Sequence, residues 1–148
     1  MKSMNIRNAI YKDAPTIKFL LEVLGYTTTI SLLVDQLELL FGQNDHQVFV
    51  CEMKKEVVGF ISIHYSPQLA FAGELVMISY LSVDEAFRDQ GVGKALEQYV
   101  TEQALKRKCN RILVHCQEWH TLDYKFYEQQ GYEECPKYYS KTLKSDKS

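Results

Sequence analysis

The feature that most restricts the fold is a continuous unit from Glu74 to about Lys108: a ten-residue strand, a glycine-bearing turn and an amphipathic helix. Glu74 to Val83 is rich in β-branched, aromatic and aliphatic residues without strict alternation, which suits a central strand covered on both faces. After the turn Arg88-Asp89-Gln90-Gly91-Val92-Gly93-Lys94, the residues Val92, Ala95, Leu96, Tyr99, Val100 and Ala104 recur at helical spacing on one face. Lys106, Arg107 and Lys108 then fall at the negative end of the helix dipole.

The flanking segments predict the rest of the order. Asn5 to Ile10 reads as a short strand, followed by Asp13 as an N-cap and Pro15 in a first helical turn. Ile17, Leu20, Leu21 and Leu24 mark that helix, and Ile30, Leu33, Val34, Leu37 and Phe41 a second one stopped by Gly42. Gln47 to Met53 and Val57 to Tyr65 form a hairpin across Lys54-Lys55-Glu56, with Pro67 breaking the second strand. Ile112 to Gln117 is a further strand, Thr121 to Gln130 a short helix ended by Gly131, and Tyr132 to Leu143 one or two last strands bent at Pro136. This βααβββαβαβ(β) order indicates an α/β protein: a mixed central sheet with helices on both faces, in a single domain. The domain is expected over residues 4–144, with 1–3 and 145–148 as loose termini.

Composition narrows the function classes. The 17 Lys and Arg against 19 Asp and Glu leave a formal charge of −2, unlike the basic face of a general nucleic-acid binder. No apolar run approaches the roughly 18 residues that span a bilayer, and no signal-peptide core precedes the first strand, so neither membrane nor nucleic acid is expected as a partner. Cys51, Cys109, Cys116 and Cys135 are far apart, with no CxxC pair and no His at zinc spacing; free thiols, a cytoplasmic setting and no metal are the expectation.

The turn before the long helix carries the chemistry. Two glycines allow a tight bend and close approach of a ligand, and helix-opening N–H groups without internal partners point outward with the positive dipole end. That is an anion-binding concavity suited to a pyrophosphate, with Arg88 and Lys94 adding charge at its rim. A dinucleotide fingerprint would need a third glycine where Leu96 stands, and a P-loop a first glycine and a Ser or Thr that are absent. A strand-to-helix turn with glycines for packing alone stays open on these residues.

Arg88-x-x-Gly91-x-Gly93, preceded by Leu81-Ser82-Val83-Asp84, resembles the acyl-CoA-binding signature of the GNAT superfamily, as Phe126-Tyr127-Glu128-Gln129-Gln130-Gly131-Tyr132 resembles its later FYExxGF/Y segment. Ile6-Arg7-Asn8-Ala9 with Asp13-Ala14 is similar to the family's opening, so the resemblance spans about Ile6 to Leu143. It implies an N-acetyltransferase moving an acetyl group from acetyl-CoA to a primary amine of a small molecule or peptide, by direct attack in a ternary complex; a non-catalytic acyl-CoA-binding or sensing domain is the alternative. The pantetheine arm would pair with Leu81, Ser82 and Val83, and the pyrophosphate would rest on the amides that follow Arg88: Asp89, Gln90, Gly91, Val92, Gly93 and Lys94.

The same resemblance makes Tyr127 the acid for the leaving thiolate, and a backbone N–H at Leu81 or Ser82 the oxyanion donor. At the position where relatives often carry a Glu base this chain has Met77; Glu74 would reach the cleft only through a bulge. His120 stands where many relatives have an Asn, and can orient the cofactor arm, act as base, or be a solvated helix-start residue. Tyr26, His64, Tyr65, Tyr80 and Trp119 are candidates for the acceptor pocket, with packing as their other role. Many relatives pair, so a homodimer is a possible partner state, with Tyr138 and Tyr139 as interface candidates.

Overall fold

The computed structural model describes residues 3–114, 121–134 and 139–143. They fall into two compact units, Met1–His115 and Cys116–Ser148. In the first, β1 (Met4–Asn8), β2 (His46–Met53), β3 (Glu56–Pro67), β4 (Glu74–Val83) and β5 (Arg111–Val114) form one sheet in the order β1-β2-β3-β4-β5. All neighbours are antiparallel except β4 and β5, so the sheet is mixed, as the element order predicts.

Three helices cover its two faces: α1 (Ala14–Val23), α2 (Ile30–Phe41) and α3 (Val92–Lys106). Val48, Val50 and Phe60 point to one face, where they pack with Ile17, Leu20, Leu33 and Leu37 of α1 and α2. Their strand neighbours point the other way, toward α3: Phe49 meets Tyr99 edge-on, with ring centroids 4.9 Å apart. The β2–β3 turn runs through Lys54 and Lys55 at φ 53° and 67°, the left-handed pair a two-residue hairpin requires.

Several local expectations are revised. Asp13 occupies the N-cap position of α1 but does not cap it; its carboxylate accepts from the Ile10 N–H (2.8 Å) and from both terminal nitrogens of Arg7 (2.8 and 2.9 Å). The first strand ends at Asn8, because Ile10 opens the 3-10 turn Tyr11–Asp13 that this carboxylate closes. The strand with a continuous buried run is β3, over 58–63, rather than β4, in which Ser79 and Tyr80 are exposed. β5 is described only as far as Val114, so 115–117 of the expected strand lie outside the described residues.

The second unit contains α4 (Thr121–Gln129), followed by Gly131 at φ 95°. Within it Tyr127 is buried, its ring edge-on to Phe126 and to Tyr132. Tyr132–Glu134 and residues 139–143 form no strand, and Pro136 and Tyr138 lie outside the described residues. Among the described residues no helix is long and apolar enough to cross a membrane.

Candidate active site

The site is built around an irregularity in β4. Ser62 of β3 pairs with Tyr80 and the next residue, Ile63, with Ile78, so Ser79 is an extra residue on β4. Such a bulge bends its strand and turns both of its residues toward one face. Here that is the α1/α2 face: Ser79 Oγ lies 3.3 Å from His64 Nδ1, and Tyr80 meets Tyr26 edge-on, with centroids 5.4 Å apart.

The bulge also divides the two edges of β4. β5 pairs only with Leu75–Ile78, and among the described residues nothing pairs with the same edge of Ser79–Val83. On the other side the Asp84 N–H donates to the Val58 carbonyl (2.8 Å), so Asp84 faces β3. Strand amides alternate in direction, which turns the N–H and C=O of Leu81 and Val83 to the open edge and those of Ser82 to β3. The two candidates for oxyanion donor are thereby separated. The Ser82 side chain is buried and donates to the Leu20 carbonyl (2.8 Å), fixing α1 against β4.

The open edge leads through the turn Glu85–Phe87 into the glycine loop. Asp84 accepts from the Ala86 N–H (3.0 Å), Asp89 takes φ 64°, and Gly91 is the N-cap of α3 at φ 85°. No side chain caps this helix, so its first N–H groups are left to an external acceptor. Arg88, Asp89 and Lys94 are exposed around them. A Cβ on Gly91 would meet only the Met4 methyl at 3.9 Å, so the concavity is unobstructed, while the positive φ favours glycine.

Gly59 is a close-packing position that the sequence alone did not single out. A Cβ there would lie 2.9 Å from Val92 Cγ1, 3.2 Å from the Ser82 carbonyl and 3.3 Å from Leu96 Cδ1. Its absence lets the first turn of α3 rest directly on β3 beside Ser82, which sets the anion loop against the open edge. The signal was one glycine inside a strand pattern, a mark of close backbone approach.

The other site expectations divide as follows. Tyr26 and Tyr80 are brought together, ring to ring, on the bulge face. Tyr65 does not join them: alternation along β3 turns it to the α3 face, where it is buried, donates to Gln47 Oε1 (2.8 Å) and carries the Arg107 guanidinium 3.8 Å above its ring. Burial raises its pKa, as it does that of Tyr80. Glu74 is held by Arg107 through contacts of 2.7 and 3.3 Å. The bulge comes five positions later and does not reorient it, and about 30 Å of strand separates Glu74 from Val83. Trp119 and His120 lie outside the described residues. Tyr127 is in the second unit, so its geometry is given there alone.

His64, by contrast, lies on the bulge face, half-buried and directly opposite Met77. Its ring stacks on His46, centroids 5.3 Å apart, and His46 Nδ1 lies 3.0 Å from Asp45. Burial first, then the neighbouring His46, lower its pKa below the ordinary histidine value against the opposing pull of Asp45.

A cavity of about 610 Å³ opens elsewhere, among β1, the start of α1 and the turn at Phe87. Its Arg7 is already paired with Asp13 and Glu52, and it includes none of the expected site residues. Among the described residues no group of three or more metal-ligating side chains occurs.

An open strand edge that runs into an uncapped glycine-rich helix start is the arrangement expected for an acyl-CoA site, and the acetyltransferase (GNAT) family matches residues 11–132. The chain belongs to the GNAT acetyltransferase family. This places it among acyl-CoA-dependent acetyltransferases. No curated protein matches in sequence. Solved structures share the fold at low identity. A transcriptional regulator from Bacillus halodurans C-125 is 22% identical with TM-score 0.87, covering 95% of this chain and 100% of its own. The aminoglycoside N-acetyltransferase AAC(6')-Iy in complex with CoA is 16% identical with TM-score 0.85, covering 98% and 97%. Glucosamine-6-phosphate N-acetyltransferase from Arabidopsis thaliana is 20% identical with TM-score 0.77, covering 96% and 99%.

Proposed function

We propose that this GNAT protein transfers the acetyl group of acetyl-CoA to a primary amine of a small molecule or peptide, by direct attack in a ternary complex, with residues 4–144 acting as one catalytic domain. The observation that carries the reading is the continuity of two kinds of donor along one line. Leu81 and Val83 offer backbone groups at an open edge, and the unshared amides from Asp89 to Lys94 follow directly. An extended amide-bearing arm that ends in a pyrophosphate needs this sequence of contacts, because strand-like pairing suits the arm and a helix start suits the anion. Acetyl-CoA, when bound, supplies the activated thioester.

The protein's own groups then have distinct tasks. The Leu81 N–H, turned to the open edge beside the bulge, donates to the carbonyl oxygen as negative charge develops on it. Tyr127 is assigned as the acid that protonates the departing sulfur, since a phenol stays protonated at neutral pH. Tyr26 and Tyr80 form an aromatic wall for the acceptor on the opposite side of the bulge from α3. Glu74 is read as an anchor for the C-terminal turn of α3, and Tyr65 as a support beneath the same Arg107. Acetyl is preferred as the acyl group because family relatives such as the aminoglycoside and glucosamine-6-phosphate enzymes are acetyltransferases by name.

Calorimetric titration with acetyl-CoA is the test. Micromolar binding by the unmodified protein, abolished in a Gly91→Glu/Gly93→Glu variant that puts bulk and negative charge at the helix start, is the expected result. Absence of binding to the unmodified protein removes the reading. With binding established, Tyr127→Phe is expected to lower turnover of a primary-amine panel at least tenfold without changing acetyl-CoA affinity.

A further inference from the structure

Met77 leaves the central strand without the carboxylate that an attacking amine would use, and Glu74 is committed to Arg107 at the far end of the strand. The face of the sheet around the bulge nevertheless holds a titratable group. His64 is the residue of β3 directly across from Met77, and its Nδ1 lies 3.3 Å from the hydroxyl of Ser79, the extra residue of the bulge. We propose that His64 is the general base of the acetyl transfer, held in place by Ser79 on β4 and by the stacked His46–Asp45 pair at the start of β2. The assignment rests on the acetyltransferase reading above.

The geometry divides the two ring nitrogens. With Nδ1–H donated to Ser79 Oγ, Nε2 is left as the proton acceptor. His46, whose own Nδ1 is held at 3.0 Å by Asp45, lies along the imidazole and limits its rotation. Among the described residues the titratable or charged groups that face His64 are His46 and Asp45; β4 presents the uncharged Met77 and Ser79, and the phenol of Tyr80 one step further. The half-buried setting and the neighbouring His46 favour the neutral ring, and Asp45 opposes them only partly.

The proton inventory closes with groups already named. An amine arriving as R–NH3+ gives one proton to His64 Nε2, its lone pair forms the C–N bond, and the C–S bond breaks with its electrons on sulfur. The second nitrogen proton passes to solvent as the amide forms, while Tyr127 protonates the thiolate and recovers a proton from solvent. His64 returns its proton to solvent. The base must be neutral for this cycle, so activity is retained above its pKa and lost as pH falls through it, below the ordinary histidine value of about 6.5.

The experiment is the pH profile of kcat/KM for acetyl-CoA-dependent acetylation of a panel of primary amines of pKa above about 9, in the unmodified protein and in His64→Gln. A base that takes its proton from the ammonium form gives a profile that levels off above the histidine limb. Without that base, only the free amine reacts, and the rate rises tenfold per pH unit up to the amine's own pKa. His64→Gln is therefore expected to bind acetyl-CoA as before, to lose about 100-fold in rate at pH 7, and to replace the plateau with that continuous slope. A His64→Gln protein that keeps both plateau and rate overturns the base assignment and leaves the acetyltransferase reading intact. Acetyl-CoA binding without turnover of any amine by the unmodified protein, or no binding at all, overturns the reading and the assignment together.

Discussion

At the scale of single residues, Asp13 shows how one carboxylate organises the entry to the fold. Its oxygens hold the Ile10 N–H and both ends of the Arg7 fork, while Arg7 also reaches Glu52 at 3.4 Å. The side chain is almost fully buried, so removing it leaves the Ile10 N–H without its acceptor and takes from Arg7 its two-pronged partner. Asp13→Ala is expected to cost about 2 kcal/mol of unfolding free energy, the usual value of a hydrogen-bonded charge, read by denaturant titration. Burial alone would raise the Asp13 pKa, but the Arg7 hydrogen bonds and the Ile10 N–H outweigh it and the net shift is downward. A folded-state pKa below the unfolded one gives stability that is present above about pH 4 and is lost as pH falls through the folded value. The acid limb of a stability profile should therefore be shallower in Asp13→Ala. Cys51 is the opposite case: burial pushes its thiol up to about 11, which leaves it protonated and unreactive at neutral pH, as expected of a buried free cysteine.

At the scale of elements, the contact between β3 and α3 decides where the anion loop lies. Gly59→Ala introduces a methyl 2.9 Å from Val92 and 3.2 Å from the Ser82 carbonyl; the second neighbour is backbone and cannot rotate away. The helix start must move, at a cost of about 1–3 kcal/mol for overpacking. The expected outcome is a lower Tm together with acetyl-CoA affinity weakened about tenfold, checked by thermal melting and calorimetry on one preparation. A lower Tm with unchanged affinity would mean that the loop is placed by other contacts.

The same element explains what the sequence could and could not reveal. Periodicity located α1, α2, α3 and β4 to within a residue or two, because each has a one-sided apolar stripe or a long β-branched run. The glycine loop was legible because its chemistry is local: two glycines and a helix start are adjacent in the chain. The bulge was not, since Ser79 is an ordinary strand residue until its pairing with β3 is known. Tyr65 and Tyr80 both look like pocket aromatics in sequence. Only the strand pairing shows that Tyr80, opposite Ser62, lies on the α1/α2 face, while alternation along β3 sends Tyr65 to the α3 face. Glu74 was similarly ambiguous until Arg107, 33 positions away, was found on its carboxylate. His64 and His46 are 18 positions apart and meet only because β2 and β3 are paired.

At the scale of the whole molecule, attraction for a polyanionic cofactor has to be local. The chain carries a formal charge of −2, so its overall field repels rather than steers an anion such as acetyl-CoA. The favourable charge is concentrated at Arg88 and Lys94, exposed beside the positive end of α3. Exposed charges are screened within about 8 Å at physiological salt, whereas backbone N–H groups that contact the phosphate directly are affected much less. Two contributions to affinity should therefore separate on raising ionic strength from about 0.05 to 0.5 M, where the screening length shrinks to a few ångströms. The unmodified protein is expected to lose severalfold in acetyl-CoA affinity over that range. An Arg88→Gln/Lys94→Gln variant should start weaker, at close to the high-salt value of the unmodified protein, and change little with salt. Calorimetry at four salt concentrations distinguishes this from a site held by side-chain charge throughout, in which case the variant would bind no acetyl-CoA at any ionic strength and the amides of the helix start would have no independent role.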